Sequence, residues 1–420
     1  MIRLFRLVTG IWLLATLLMS CGTLAPLLSQ PTPVPVPTAT PTLYASTATL
    51  PASSESRVLR VWLPARFNPN LDTPAANSLK QRFADFQSQH SGIELDVRVK
   101  NEEGDTSLLD SLFITQIAAP AALPDLVALS RADLEHAALK GVLHPIDGLT
   151  PTLDDVNWYN YARQLAHIQN TAYGLPFAGD ALVLVYRPSL FGEGAFDWDN
   201  AMKNSIPLAF PAADSQALFP VSMYLSAGGG LTDEQDRPVL NEQALTQTLI
   251  FHSRLSPAPW LANLENPSQA WQAFLDGQAS WAVVWISLVL NSTVADIKIE
   301  PLPGLQGSPF TLATGWVWAL AGSDPQKQQL AIELADYLMA DDFLGGWQEA
   351  AGYLPTRPSG VTSFPDEQNS SVTIIAESAQ PIPSDDLLAV IGPIMQEALI
   401  RVLSGEQVDV VVRSAMERLK

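Results

Sequence analysis

The side chains best equipped for chemistry in this sequence are aromatic and ionic rather than nucleophilic. Ten of the eleven tryptophans lie beyond Trp12, in a chain in which only 16% of residues are charged. Indole rings offer flat apolar area to a polar ring such as a sugar. Sugar hydroxyls also need directional partners, and a carboxylate acceptor is the stronger kind; Asp180, directly after Gly179, is the best single candidate, with a solvated carboxylate as the plain alternative. Trp281 and Trp285 stand four apart in the extended stretch SWAVVW and share one strand face. Trp285 is nearer the strand's end, where open α/β sheets present ligands, so it is the expected stacking platform and Trp281 the expected core residue. Trp316 and Trp318 also share a face, with core packing as the alternative for each. Arg66 and Arg131 follow predicted strands, where each either donates to hydroxyls or to an anionic ligand, or lies solvated at the surface.

The usual catalytic signatures do not occur. The five histidines, His90, His136, His144, His167 and His252, show no H-E-x-x-H and no metal-ligand spacing, so neither metal nor cofactor is expected. No G-x-S-x-G elbow or Walker loop occurs, and Gly228–Gly230 follows a predicted helix as a cap and turn. The acidic pairs Asp154-Asp155, Asp341-Asp342 and Asp385-Asp386 read as solvated faces, since spacing along the chain says nothing of the spatial separation a glycosidase needs. Cys21 is the sole cysteine, which excludes an internal disulfide and a cysteine-type zinc site.

Cys21 has a different use. Arg3 and Arg6 precede an uncharged apolar run from Leu7 to Met19, short for a membrane span but matched to the core of a secretory signal. Leu18-Met19-Ser20-Cys21 resembles the bacterial lipobox, which implies cleavage before Cys21 and lipidation on it. The segment after it, rich in Pro, Thr, Ser and Ala and exemplified by PTPVPVPTATPT, cannot sustain helix or ladder bonds because proline lacks the N–H. As a tether it reaches roughly 30 Å coiled and about 100 Å extended. Without Arg3 and Arg6, 21 basic residues face 43 acidic ones, a formal charge of −22 that repels phosphate backbones and makes nucleic acid a poor partner.

Elements that must hold these side chains follow the tether. VLRVWLP reads as a strand, Asn77 to about His90 as a helix with Leu79, Phe83 and Phe86 on one stripe, and GIELDVRV as a strand by its period of two. DLVAL is a further strand, followed by a helix to Lys140 that Gly141 closes. IPLAF, SWAVVW and WVWALA are later strands; one helix ends at SAGGG, one opens at Asn241, and helices fill most of the chain from Asp324. Strands alternating with helices predict a mostly parallel sheet.

The order of segments resembles extracellular solute-binding protein family 1, the maltose-binding-protein-like receptors of ABC importers. The likeness is carried by LPDLVALSRADLEHAALKGVLHPIDGL, AYGLPFAGDALVLVYRPSLF, AFLDGQASWAVVW, IEPLPGLQG, GYLPTRPS and ALIRVLSGEQVDVVVRSAMERL, in that order. It implies an α/β fold of two lobes with three hinge crossovers, near Ala178–Asp180, Leu302–Leu305 and Gly352–Thr356. The expected organisation is a signal peptide at 1–20, a lipidated tether at 21–56, a first lobe of 57–179 plus 306–352 and a second of 180–305 plus 353–420. The resemblance further implies a monomeric, non-enzymatic receptor, lipid-anchored on the extracytoplasmic face, that closes over a small solute, a carbohydrate by the tryptophan count, and delivers it to a permease. It places Asp180 and Trp316, which follows Gly315, on the cleft, and matches Phe219 in FPVSMYLSAGGG to an aromatic position of the maltose-binding branch, with the buried face of a helix as the slightly favoured alternative for Phe219. Trp158 and Tyr159 match the cleft rim loosely, and ARFNPNLDTPAA replaces a compact first loop. The alternatives are a surface glycosidase and a two-lobe sensor or adhesin.

Overall fold

The computed structural model describes residues 57–191, 198–203, 207–255, 258 and 261–419. Cys21, the apolar run and the tether lie outside them. Eleven strands are present among the described residues: β1 (Arg57–Pro64), β2 (Ile93–Lys100), β3 (Leu126–Ser130), β4 (His167–Ile168), β5 (Thr171–Ala172), β6 (Gly174–Tyr186), β7 (Leu208–Ala209), β8 (Trp281–Trp285), β9 (Lys298–Pro301), β10 (Thr311–Leu320) and β11 (Ala379–Pro381). Nine form one sheet in the order β2-β1-β3-β10-β6-β8-β7, with β11 on β10 and β9 on β6, while β4 and β5 form a separate hairpin.

The sheet is mixed, a departure from the parallel expectation. β1 runs parallel to β2 and β3, as β7 does to β8 and β11 to β10. β10 is antiparallel to β3 and β6, and β6 to β8 and β9. The reason is the reach of β6 and β10. The first part of β6 pairs with β10 and the rest with β8 and β9, so each long strand belongs to both halves of the sheet. All thirteen residues of β6 are buried, which suits its near-continuous apolar run.

Helices start and stop where local chemistry directs. Helix Pro74–Gln89 begins before the predicted Asn77 because the Thr73 side chain accepts from the Ala76 N–H and Pro74 pre-sets the first turn. It buries Leu79, Phe83 and Phe86, the predicted stripe. Ser130 caps helix Arg131–Leu139, and Gly141 just beyond takes φ +67°. Asn241 caps helix Glu242–Ser253 as expected. Period-two β2 is only half buried because it is an edge strand, and β11 interrupts the expected run of C-terminal helices by pairing with β10.

Three sequence expectations are corrected by burial. Phe219 is 1% exposed and packs among Phe210, Phe251 and His252, so no face of its ring is open to a solute. Trp158 and Tyr159 are also buried: Trp158 donates its indole N–H to the Thr152 carbonyl at 3.0 Å and lies under the Arg357 guanidinium.

At the crossing, β6 exchanges two hydrogen bonds with Leu354, Gly179 N to Leu354 O at 3.0 Å and the reverse at 2.8 Å. Tyr161 Oη donates to Pro355 O at 2.7 Å beside it. A Cβ on Gly179 would stand 2.1 Å from that hydroxyl. The Leu302–Leu305 segment opens a tight turn, with Phe310 N donating to Leu302 O and Gly304 N to Ser308 O, that delivers the chain into β10.

His252 is fully buried. Its Nδ1 contacts the Thr248 carbonyl at 2.7 Å, which requires an N–H there, and its Nε2 has no partner among the described residues. Burial therefore depresses its pKa from 6.5 to about 4, against the Thr248 bond that raises it.

Two outcomes are expected. Gly179→Ala lowers unfolding free energy by about 2 kcal/mol or more, measured by denaturant titration. Because the unfolded chain binds the His252 proton first, its contribution is complete above pH 6.5 and lost as pH falls toward 4. His252→Phe therefore becomes more stable relative to the parent by on the order of 3 kcal/mol between pH 7 and pH 4, read from denaturation midpoints.

Candidate functional site

β1 and β2 pair in parallel with Pro64 opposite Lys100. The same offset of 36 residues, carried past the strand ends, brings Arg66 to Glu102. Glu102 accepts from the Arg66 main-chain N at 3.1 Å and from Nε at 2.6 Å, with Nη2 at 2.5 Å. So clamped, the guanidinium carbon lies 4.6 Å from the centroid of the Trp316 ring. Trp316 is 9% exposed and meets Phe67 edge-on at 5.1 Å. The group presented over Trp316 is thus a guanidinium rather than a bare indole.

Ser130, at the end of β3, orients the first turn of helix Arg131–Leu139. One turn on, Glu135 accepts from Arg131 Nη1 at 3.0 Å. Burial lowers the Arg131 pKa, and Glu135 offsets part of that. Arg131 and Trp285 come together: with Glu135, Gln216, Thr314 and Asp385 they line a cavity of about 170 Å³. Trp281, four residues earlier, is 1% exposed and belongs to the core, as the sequence predicts. A second cavity of about 180 Å³ is lined by Arg66, Asn68, Asn291, Trp347 and Tyr353 among others. Burial raises the pKa of Asp133 in the first turn of helix Arg131–Leu139, against the Ser130 hydroxyl bond and the His136 charge, which lower it.

Asp180 is 7% exposed. Its carboxylate accepts from Ser287 Oγ at 2.6 Å, Ser287 N at 3.2 Å and Ala181 N at 3.0 Å. Ser287 lies in the turn Ile286–Leu288, directly after Trp285. In this conformation Asp180 therefore anchors the segment that carries Trp285. Burial pushes its pKa up to about 6 despite those three bonds and the Arg66 charge, which all pull it down.

Sequence reasoning passed over Glu102, Tyr353, Trp347, Ser287 and Asn291. Glu135 had a local signal, four residues after Arg131 on a predicted helix; Glu102 had one only through the strand register. Of the acidic pairs weighed for catalysis, Asp342 pairs with Arg82 and Asp341 lies 3.6 Å from Arg357, so both are engaged in ion pairs.

This arrangement, a mixed sheet whose two long strands serve both halves with polar and aromatic groups gathered beside the crossing, defines a ligand-binding α/β protein of the two-lobe type. Residues 81–370 match the family described as bacterial extracellular solute-binding protein. The chain belongs to that family. No curated protein matches the sequence. Among solved structures, the chain is similar to the sugar-binding protein MalE of Xanthomonas citri, with 19% identity, TM-score 0.69, and 86% of this chain and 96% of that chain covered. It is similar to the cyclic alpha-maltosyl-1,6-maltose binding protein of Arthrobacter globiformis, with 16% identity, TM-score 0.69 and coverage of 86% and 97%. It is also similar to an ABC transporter solute-binding protein of Agrobacterium radiobacter in complex with ribitol, with 17% identity, TM-score 0.61 and coverage of 87% and 98%. The family and these neighbours are binding proteins, and no helix of the described residues is long and apolar enough to cross a membrane.

Asp180 titrates with the opposite sign to His252. Its folded pKa is raised, so its contribution is full below pH 3.8 and is lost as pH rises through about 6. An asparagine keeps the acceptor oxygen and has no charge to desolvate. Asp180→Asn should match the parent near pH 3.8 and exceed it by on the order of 3 kcal/mol above pH 7, whereas Asp180→Ala, which frees Ser287, should be destabilised at neutral pH relative to Asp180→Asn, both by denaturant titration.

Proposed function

We propose that this chain is the solute-binding receptor of an ABC importer and that its solute is a carbohydrate held between two lobes. The observation that carries the reading is the cavity in which Trp285, Arg131 and Asp385, from segments far apart in sequence, converge with Thr314 of the crossing strand β10. An indole supplies area to a pyranose face, and ion-paired and amide groups around it supply directional bonds to hydroxyls. The sugars named for the similar solved proteins agree with this choice. Residues 57–179 with 306–352 form the first lobe and 180–305 with 353–420 the second, and rotation is absorbed where Gly179 and Leu354 meet. The solute touches both lobes only when they are closed, so its added contacts there favour closure. The protein acts as a monomer tethered through lipidated Cys21 on the extracytoplasmic face, beside its permease.

Isothermal titration of the full-length chain against a sugar and polyol panel is expected to find a binder, and X-ray scattering a smaller radius of gyration with it. Trp285→Ala should weaken that binder roughly tenfold or more, the equivalent of about 1.5–3 kcal/mol of lost apolar contact. An unchanged affinity removes Trp285 from the site. Cys21→Ser should move the protein from the membrane fraction to the soluble extracytoplasmic fraction.

A further inference from the structure

Both arginines that line the cavities already hold a carboxylate of their own chain. Glu102 meets Arg66 through Nε and Nη2 and also accepts from its main-chain N, so that one carboxylate fixes the backbone and the guanidinium together. Glu135 meets Arg131 at 3.0 Å, and both of those side chains are largely buried. An arginine recognises a carboxylate or phosphate by presenting a fork of N–H donors to it. Glu102 stands where the acid group of such a ligand would stand on the Arg66 fork, and Glu135 occupies one donor, Nη1, of Arg131.

Asp385 adds a further acid to the cavity that Arg131 and Glu135 line. The basic group paired with Asp385 is His136, with Nε2 at 3.9 Å. Two guanidinium groups thus each hold a glutamate, with Asp385 beside the second, in a body that is itself acidic. An anion arriving here has to displace an internal carboxylate whose geometry is already satisfied, and it does so within a field of its own sign. An uncharged solute meets no such opposition. The side chain of Arg66 is 44% exposed and lies against Trp316, and its planar, weakly hydrated group suits the C–H face of a sugar ring.

We propose that Glu102 and Glu135 are specificity-determining residues that occupy anion-binding N–H donors of Arg66 and Arg131, so that the site accepts uncharged polyhydroxyl solutes and rejects uronates and sugar phosphates. This rests on the carbohydrate reading above and adds to it a charge class and the residues that impose it.

The test is titration calorimetry of the full-length chain against matched sets, each neutral sugar with its uronate and its 6-phosphate, at low salt. The unmodified protein is expected to bind at least one neutral member and to bind its charged counterparts at least tenfold more weakly. Glu102→Gln, which keeps an acceptor for the Arg66 main chain, should narrow that gap at least tenfold; Glu135→Gln asks the same question at the other arginine should the first variant fold poorly. A charged member bound as tightly as its neutral counterpart overturns the inference and leaves the carbohydrate reading standing, as does a gap that neither variant narrows. If no member of any set binds, the carbohydrate reading falls and this inference falls with it.

Discussion

A carboxylate held out of water at the crossing of β6 with its neighbours constrains both sides of the molecule. Asp180 occupies the point where β6 leaves β10 and takes up β8, and its carboxylate accepts from the Ala181 N–H and from the main chain and hydroxyl of Ser287. A buried carboxylate without such donors is strongly disfavoured, so the turn Ile286–Leu288 is fixed relative to β6. The position of Trp285 follows from that turn on one side and from its pairing with Leu182 on the other. Gly179, one residue earlier, has no room for a side chain because Tyr161 and Leu354 close on it from the opposite direction. A few consecutive residues thus carry tertiary contacts from three separate parts of the chain.

Electrostatics around this point follow one rule: charges removed from water are matched by partners within the same wall. Arg66 and Arg131 each acquire a glutamate, and the first pair is further supported by the Trp316 ring beneath it. Such pairs add little net stability, since desolvation offsets much of the attraction. Their effect is to hold two long side chains in place and to offset their charge. Burial raises the pKa of the acid Asp180 and lowers that of the base His252, so their effects on stability oppose each other between about pH 4 and pH 6.

Similarity to solved solute-binding proteins at 16–19% identity shows how little of the fold depends on particular residues. Layers, crossing strands and capped helices recur on patterns of burial, whereas the solute is chosen by side chains at the strand ends. In this chain Arg66 follows β1, Glu102 follows β2 and Arg131 follows β3, and the two arginines are already paired with carboxylates.

Much of the architecture was legible because it depends on near neighbours along the chain. Leu79, Phe83 and Phe86 repeat at helical spacing, Ser130 and Asn241 precede their helices as caps, and Gly141 supplies the left-handed residue that ends one. The Arg131–Glu135 pair is of the same local kind, one helical turn apart. Other features are set by contacts that the one-dimensional order does not contain. That Arg66 belongs to Glu102 depends on the register of β1 with β2; that Asp180 is enclosed depends on β8 lying beside β6; and that Phe219 is core follows from helices packing around it. The sequence by itself determined the type of element, the α/β class and which side chains had the chemistry to recognise a solute, because propensity, capping and periodicity act over a few residues. Only the tertiary structure decided which of those side chains are already engaged with one another and which still face a cavity, because burial and charge pairing are properties of segments brought together from across the chain.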